Sequence, residues 1–225
     1  MLRGVRIGIV DSGIAGSIST LVAADASFAL NDGELVQERA ATDSLGHGTA
    51  LAEIVAHFVP DAALLIAQVF TRRFITTPAQ VAAAIDWLVG EGAQVVNLSL
   101  GLPADRAVLA QSCRRALDAG AILCASSPAR GAAVFPASYP GVLRMTGDAR
   151  CAREEISWLN TAQADFGAHV IPLHGEARSG ASIGCAHLTG HVARYLAQGG
   201  VPGRGAVFEW LTARASYRGP ERKTQ

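Results

Sequence analysis

The hydrophobic and polar positions of this chain follow two kinds of pattern. One is typical of buried strands, and the other is typical of amphipathic helices. Residues 5–10 form an almost continuous apolar run, which favours a strand covered on both faces. Residues 48–58 instead repeat apolar side chains every three or four positions, which predicts a helix ending before Pro60. Further strands are predicted at 63–70, 94–100, 121–125 and 142–145, and further helices at 78–89, 104–119, 182–197 and 205–213.

Strands that alternate with helices predict a sequence of β-α-β units. The expected fold class is therefore α/β, with a doubly wound, mostly parallel sheet between two layers of helices. We expect one domain over residues 1–215 and a flexible tail over 216–225, where Pro, Arg and Lys replace the apolar pattern. Residues 31–34, Asn-Asp-Gly-Glu, predict a turn.

The amino-acid composition argues against two classes of binding partner. Half of the 225 residues are hydrophobic, and 19 Lys and Arg balance 19 Asp and Glu, so neither nucleic acid nor an anionic membrane is an expected partner. No apolar run approaches the roughly 20 residues that a membrane span needs. The chain opens without a secretion signal, and its four cysteines form no CxxC pair, so we expect a cytoplasmic protein with reduced thiols.

Three short segments, far apart in the sequence, each place one reactive side chain among small residues. Asp11 follows the first predicted strand, His47 opens a helix within Gly-His-Gly-Thr, and Ser182 opens another within Gly-Ala-Ser-Ile. Each alone fits a turn former or a helix cap. Together they fit nucleophilic catalysis, because a Ser hydroxyl needs a His base and the base needs a carboxylate to orient it.

This Asp, His, Ser order, with its small neighbours, resembles the subtilisin-like serine proteases, or subtilases, over nearly the whole chain. The resemblance implies that Asp11 orients His47, that His47 is the base and that Ser182 is the nucleophile. Residues 95–101, Val-Val-Asn-Leu-Ser-Leu-Gly, resemble the strand that pairs with an extended substrate in the family. The implied substrate-binding residues are Ser99, Leu100 and Gly101, together with a second segment, Ala125, Ser126 and Ser127.

One segment departs from the family. Subtilases stabilise the oxyanion with an Asn side chain and the backbone N–H of the nucleophile, but here Ala129 stands at the usual Asn position. The Ser182 N–H remains, and Ser126, Ser127 or a backbone N–H is a candidate substitute donor. Because losing one such donor costs about 100- to 1,000-fold in turnover, a slow enzyme is expected.

The remaining titratable residues predict no cofactor and no metal site. His187 and His191 lie four apart on a predicted helix, a spacing compatible with zinc, but without the Glu of an HExxH motif core or surface histidines are favoured. Cys185 follows Ser182 by three residues and is interpreted as inert packing. The acidic, Asn-rich loops that bind calcium in secreted subtilases are missing from the sequence.

The small size, the bare N-terminus and the altered oxyanion segment resemble subtilisin-like proteases that remove a leader peptide during maturation of a quinohemoprotein amine dehydrogenase subunit. This implies a precursor peptide or protein as substrate and a peptide-modifying radical enzyme as partner. The sequence leaves a second function open, a non-catalytic module that presents a precursor to its modifying enzyme. Nucleotide binding is disfavoured because residues 8–16 do not form GxGxxG.

Overall fold

The computed structural model describes residues 4–174 and 180–221. The helices are α1 (His47–Phe58), α2 (Pro78–Gly90), α3 (Ala107–Asp118), α4 (Ala181–Ala197) and α5 (Arg204–Arg214), with a short 3-10 helix at Ser17–Leu21. The strands are β1 (Arg6–Asp11), β2 (Val22–Asn31), β3 (Glu34–Glu38), β4 (Ala63–Gln68), β5 (Val95–Leu98), β6 (Ile122–Ser126), β7 (Leu143–Gly147), β8 (Ile156–Trp158), β9 (Phe166–Ala168) and β10 (Tyr217–Arg218).

All of the strands in the described residues belong to one sheet, in the order β10-β8-β9-β7-β6-β5-β1-β4-β2-β3. Strand β1 lies inside the sheet and pairs in parallel with both β4 and β5. Only the β2–β3 and β8–β9 pairs are antiparallel. The predicted α/β class with a mostly parallel sheet is confirmed.

Two hydrophobic cores lie on opposite faces of this sheet. Helices α1, α4 and α5 contribute to one core and helices α2 and α3 to the other. Strand β1 serves both, since Ile7 and Ile9 belong to the first core and Val10 to the second. This two-sided burial explains the continuous apolar run at residues 5–10 and confirms the predicted three layers.

The structure adds elements that the hydrophobic pattern did not predict. Strands β2 and β3 form a hairpin, and its turn is at the predicted place, where Asp32 and Gly33 have φ of 51° and 87°. In the segment predicted to be a flexible tail, Tyr217 pairs in parallel with Ser157 at the sheet edge. The division into a domain at 1–215 and a tail stays a prediction.

The parallel sheet brings distant parts of the chain to one edge. Strand β1 ends at Asp11, β5 ends just before Ser99, and helices α1 and α4 begin at His47 and Ala181. Ligand sites in such sheets lie at the carboxyl ends of the strands, which is where these residues meet. Among the described residues, no helix is both long enough and apolar enough to cross a membrane.

Candidate functional site

The Asp11 carboxylate and the His47 imidazole form a hydrogen-bonded pair. His47 Nδ1 lies 2.8 Å from Asp11 Oδ1, and the side chains are 13% and 1% exposed. A carboxylate can only accept, so Nδ1 carries the proton and Nε2 is left as the basic nitrogen. The Ser12 N–H also donates to Asp11 Oδ1 at 2.8 Å, which fixes the carboxylate.

A close contact between the start of α1 and the end of β1 positions His47. A Cβ at Gly48 would overlap the carbonyl oxygen of Gly13, so only glycine fits here. The Gly48 N–H donates to Ser12 Oγ at 2.9 Å. These buried contacts join the start of α1, and with it His47, to the strand that carries Asp11.

Asp43 caps the same helix from the preceding loop. Its carboxylate accepts from the backbone N–H groups of Gly46 and Thr49, each at 2.9 Å, and from the Thr49 hydroxyl at 2.7 Å. A carboxylate at a helix N-terminus satisfies unpaired N–H groups and complements the helix dipole. Asp43 is not among the residues predicted for the site, although an Asp ahead of a helix is a recognisable cap signal.

Ser182 lies in the first turn of α4, two positions after Gly180. Its hydroxyl donates to the carbonyl oxygen of Ser99 at 3.1 Å, and the Ser99 hydroxyl donates back to the Ser182 carbonyl at 3.1 Å. Both serines are thus held together by a reciprocal pair of hydrogen bonds. The single hydroxyl proton of Ser182 is donated to Ser99, so it must leave this acceptor before it can be donated to an imidazole nitrogen.

One cavity of about 580 Å³ is lined by two of the predicted catalytic residues, His47 and Ser182. We call it the His47–Ser182 cavity; its walls include Ser99, Leu100 and Gly101, as the sequence predicted. The lining residues that the sequence did not predict are Phe70, Phe74, Ile75, Thr76, Leu102, Pro103 and Ala181. Phe74 and Ile75 are 46% and 70% exposed, and such an apolar pair in a polar loop is the signal that marks them.

The other predicted substrate and oxyanion residues are not among those that line this cavity. Ala125, Ser126 and Ser127 are buried at the end of β6, and Ala129 lines a separate cavity of about 320 Å³. The Ser127 hydroxyl donates to the Gln163 carbonyl at 2.6 Å, and its N–H donates to the Met145 carbonyl at 2.8 Å. Both donors of Ser127 therefore already have partners.

The N-terminus of α4 offers backbone N–H groups as hydrogen-bond donors. Gly180 gives no side-chain cap, and the first bond of the helical ladder runs from the Gly184 N–H to the Gly180 carbonyl at 3.0 Å. The N–H groups of Ala181, Ser182 and Ile183 precede that ladder. Such N–H groups at a helix start favour negative charge, as a developing oxyanion requires.

The two histidines of α4 are buried in the core. Burial lowers the pKa of His187 to about 4 and that of His191 to about 3. His187 Nε2 donates to the Ile171 carbonyl at 3.2 Å, and His191 Nδ1 accepts from Arg194 at 3.1 Å. Among the described residues, no group of three His, Cys, Asp or Glu side chains is placed to hold a metal ion.

All four cysteines are buried free thiols, and burial raises the pKa of Cys185 to about 12. Such a thiol is protonated at neutral pH and is a poor nucleophile. The Cys185 thiol donates to the Cys124 carbonyl at 3.5 Å, within the core and beneath the first turn of α4. These observations support the interpretation of Cys185 as packing.

Known proteins resemble this chain in sequence. The thermostable alkaline protease of Halalkalibacterium halodurans is 30% identical over 152 residues, covering 63% of this chain and 40% of that protein. Subtilisin DY of Bacillus licheniformis is 31% identical over 155 residues, covering 62% of this chain and 54% of that protein. The matched region therefore spans about half the length of these relatives.

Solved structures share the fold at lower identity. A lanthipeptide protease superposes with a TM-score of 0.68 at 16% identity, covering 92% of this chain and 79% of the other. A psychrophilic protease gives a TM-score of 0.70 at 18% identity, covering 95% and 83%. These two similarities are evidence for the fold alone.

The family pattern matches a long stretch of the sequence, residues 3–158. This stretch includes Asp11 and His47, whereas Ser182 lies beyond it and depends on its own motif and on its position at the cavity. With the matched stretch covering well over half of the sequence, the chain belongs to the Subtilase family.

Proposed function

We propose that this protein is a serine endopeptidase in which Asp11, His47 and Ser182 form the catalytic triad. The observation that carries the proposal is the 2.8 Å pair between His47 and the buried Asp11, with Ser182 on the wall of the same cavity as His47. A buried carboxylate, an imidazole and a hydroxyl in this order are the groups that acyl transfer requires.

The chemistry proceeds through an acyl-enzyme. Ser182 turns from the Ser99 carbonyl, its Oγ bonds to the scissile carbonyl carbon, and its proton passes to His47 Nε2. Asp11 stabilises the imidazolium, and the proton then moves to the leaving amine as the peptide C–N bond breaks. Water hydrolyses the resulting ester by the same proton path, which returns Ser182 to its starting state.

Oxyanion stabilisation is proposed to come from the start of α4. The Ser182 N–H precedes the helical ladder, whereas the Ser127 hydroxyl and N–H are engaged elsewhere. With Ala129 at the usual Asn position, no side-chain donor replaces the amide at that position. We therefore expect slower turnover than in subtilases that retain the Asn, by about 100- to 1,000-fold.

The cavity favours an extended peptide with an apolar side chain. Ser99 and Gly101 supply backbone for pairing with a strand, and Phe70, Phe74 and Leu102 line the apolar part of the wall. Backbone pairing gives affinity in such complexes, and the pockets for individual side chains give selectivity. A peptide or protein segment that is locally unfolded fits this groove.

The biological role is proposed to be selective processing of a precursor in the cytoplasm. The sequence resemblance points to removal of a leader peptide, and the small subunit of a quinohemoprotein amine dehydrogenase is the candidate substrate. A ribosomally made precursor and its modifying enzyme are then the partners. The fold is shared with a protein named a lanthipeptide protease, which is compatible with a role in peptide maturation.

A fluorophosphonate probe tests the catalytic proposal, because it bonds covalently only to an activated serine hydroxyl. We expect one adduct on Ser182 in the unaltered protein and none in Ser182→Ala, with cleavage products from a mixed peptide library only in the former. Tight peptide binding without any adduct or cleavage would contradict the enzyme and support the non-catalytic peptide-binding module.

A further inference from the structure

We propose that a buried hydrogen-bond chain of Thr189, Asn97 and Ser99 positions the first turn of α4 and with it the backbone of Ser182. We call these three hydrogen-bonded side chains the Thr189 relay. It starts about two helical turns away from Ser182 and crosses from α4 to β5 before returning. Thr189 does not line the His47–Ser182 cavity, so it would act only through the residues between.

Each link of the Thr189 relay is within hydrogen-bonding distance. The Thr189 hydroxyl donates to Asn97 Oδ1 at 3.0 Å, and Asn97 Nδ2 donates to Ser99 Oγ at 2.9 Å. The Ser99 hydroxyl then donates to the Ser182 carbonyl at 3.1 Å. Because Asn97 supplies a proton to Ser99 Oγ, the proton of the Ser99 hydroxyl is directed towards Ser182.

The relay lies inside the protein, where an unpaired polar group is costly. Thr189 and Asn97 have no exposed surface, and Ser99 is nearly buried. Polar side chains in such surroundings keep their partners, since breaking one bond leaves another group unsatisfied. The three bonds therefore act together as a stiff connection between the middle of α4 and its first turn.

The position of the Ser182 backbone is important for the proposed chemistry, because Ala129 stands where the family has the Asn donor. Without a side-chain donor at that position, the oxyanion depends on the Ser182 N–H, which moves with the first turn of α4. A displacement near 1 Å at a reacting group can reduce rate by about 100-fold. The inference rests on the proposed function, and it assigns Thr189 a positioning role there.

The test compares Thr189→Val, Thr189→Ser and Ser112→Ala. Valine keeps the shape of threonine but removes the hydroxyl, and serine restores it. Ser112 is the matched control, because it is also fully buried and also donates to a carbonyl, that of Ala82 at 2.9 Å, but in the opposite core layer. Three quantities are measured: the rate constant of fluorophosphonate labelling, the thermal midpoint, and amide hydrogen exchange at residues 181–185.

We expect Thr189→Val to slow labelling by about tenfold, well within the range for a misplaced reacting group, and to speed exchange at residues 181–185. Thr189→Ser should keep both within about twofold of the unaltered protein, on the same scale. Ser112→Ala should lower the thermal midpoint comparably, yet leave labelling and local exchange unchanged.

Two results would overturn the positioning role. One is normal labelling and normal exchange in Thr189→Val; the other is an equal effect in Ser112→Ala, which would indicate general destabilisation. If the unaltered protein fails to label at all, the proposed function fails, and the exchange measurement by itself decides whether the relay holds the first turn of α4.

Discussion

At the scale of single residues, the burial of Asp11 determines what its partner can do. The carboxylate is 1% exposed and sits 2.8 Å from His47 Nδ1, so the imidazole has one favoured tautomer and one favoured orientation. Water competes poorly for such a buried acceptor. The pair is therefore prepared for proton transfer before a substrate arrives.

The variant Asp11→Asn tests whether the carboxylate fixes the tautomer and orientation of His47. The amide keeps the shape of the carboxylate but can donate to His47 Nδ1, which moves the imidazole proton to Nε2 and removes the base. Fluorophosphonate labelling should fall by roughly 10,000-fold, the scale known for this change in other serine proteases.

Asp165→Asn serves as the control for Asp11→Asn. Asp165 is also a buried carboxylate, but it pairs with Arg144 in the β7–β9 region and not with His47. Its replacement should leave the labelling rate unchanged at a temperature where both variants are folded. Equal loss of labelling in the two variants would argue against a specific role for Asp11.

The sequence singled out Asp11, His47 and Ser182, which the fold brings to one edge of the sheet, but it did not predict their contacts. Asp11, His47 and Ser182 stand out because small residues surround each of them at an element boundary. The hydrogen bond between Ser182 and Ser99 was not predictable, because it depends on a side-chain rotamer and on the packing of α4 against β5.

At the scale of elements, the contact between α1 and β1 sets the distance between His47 and Asp11. The Gly48–Gly13 approach brings the helix start close to the strand end, and Asp43 holds the same turn from the other side. The helix N-terminus is thus fixed by backbone packing as well as by capping.

Gly48→Ala tests the role of this packing. The added methyl group would overlap the Gly13 carbonyl oxygen, so α1 must move outward or the strand end must distort. We expect a loss of about 1–3 kcal/mol in the free energy of unfolding, measured with urea, together with slower labelling of Ser182.

Gly90→Ala is the matched control for Gly48→Ala. Gly90 lies at the end of α2, and a Cβ there would meet no atom within 4 Å. Its replacement should be neutral or slightly stabilising, by up to about 1 kcal/mol. A stability unaffected by Gly48→Ala would contradict the importance of the close contact.

Elements with strong periodicity were predictable and short edge elements were not. The patterns of α1 and β1 predicted their bounds to within one residue. Strand β2 was missed because most of its apolar positions are alanines, which are depleted in strands, even though residues 24–28 alternate between apolar and polar side chains. Strands β8 to β10 are too short to show a period. Long-range pairing in the sheet, which no local pattern records, defines those strands.

At the scale of the whole molecule, α4 joins the site to the core. It carries Ser182 in its first turn and two buried neutral histidines further along. His187 packs against Phe58 and His169, and His191 lies against Phe58 and near Arg194. Protonation inside this cluster would place positive charge in an apolar environment beside an existing guanidinium.

The stability of the fold should therefore decrease in mild acid. Burial lowers the pKa of His187 to about 4 and of His191 to about 3, so below about pH 6.5 the unfolded chain binds protons that the folded chain does not. The full stabilisation is present above pH 6.5 and is lost as the pH falls towards 4. The free energy of unfolding should drop by roughly 3 kcal/mol or more over that interval.

Urea unfolding at several pH values between 7.5 and 4.5 checks this dependence. His191→Gln should reduce the change in the free energy of unfolding with pH, because glutamine does not titrate. Ser112→Ala is the control, since it changes a buried side chain without removing a titratable group, and its dependence on pH should match that of the unaltered protein. Identical slopes for all three proteins would exclude the buried histidines as the cause.

The reciprocal hydrogen bonds between Ser99 and Ser182 also link peptide binding to the state of the Ser182 hydroxyl. A chain that docks as an extra strand would direct its amide groups to the Ser99 carbonyl, the acceptor that holds the resting hydroxyl. Competition for that oxygen would release the nucleophile as the groove fills. A short ester that never reaches the strand would not compete for this oxygen, so under the proposed function small chromogenic esters should be cleaved less efficiently than long peptides.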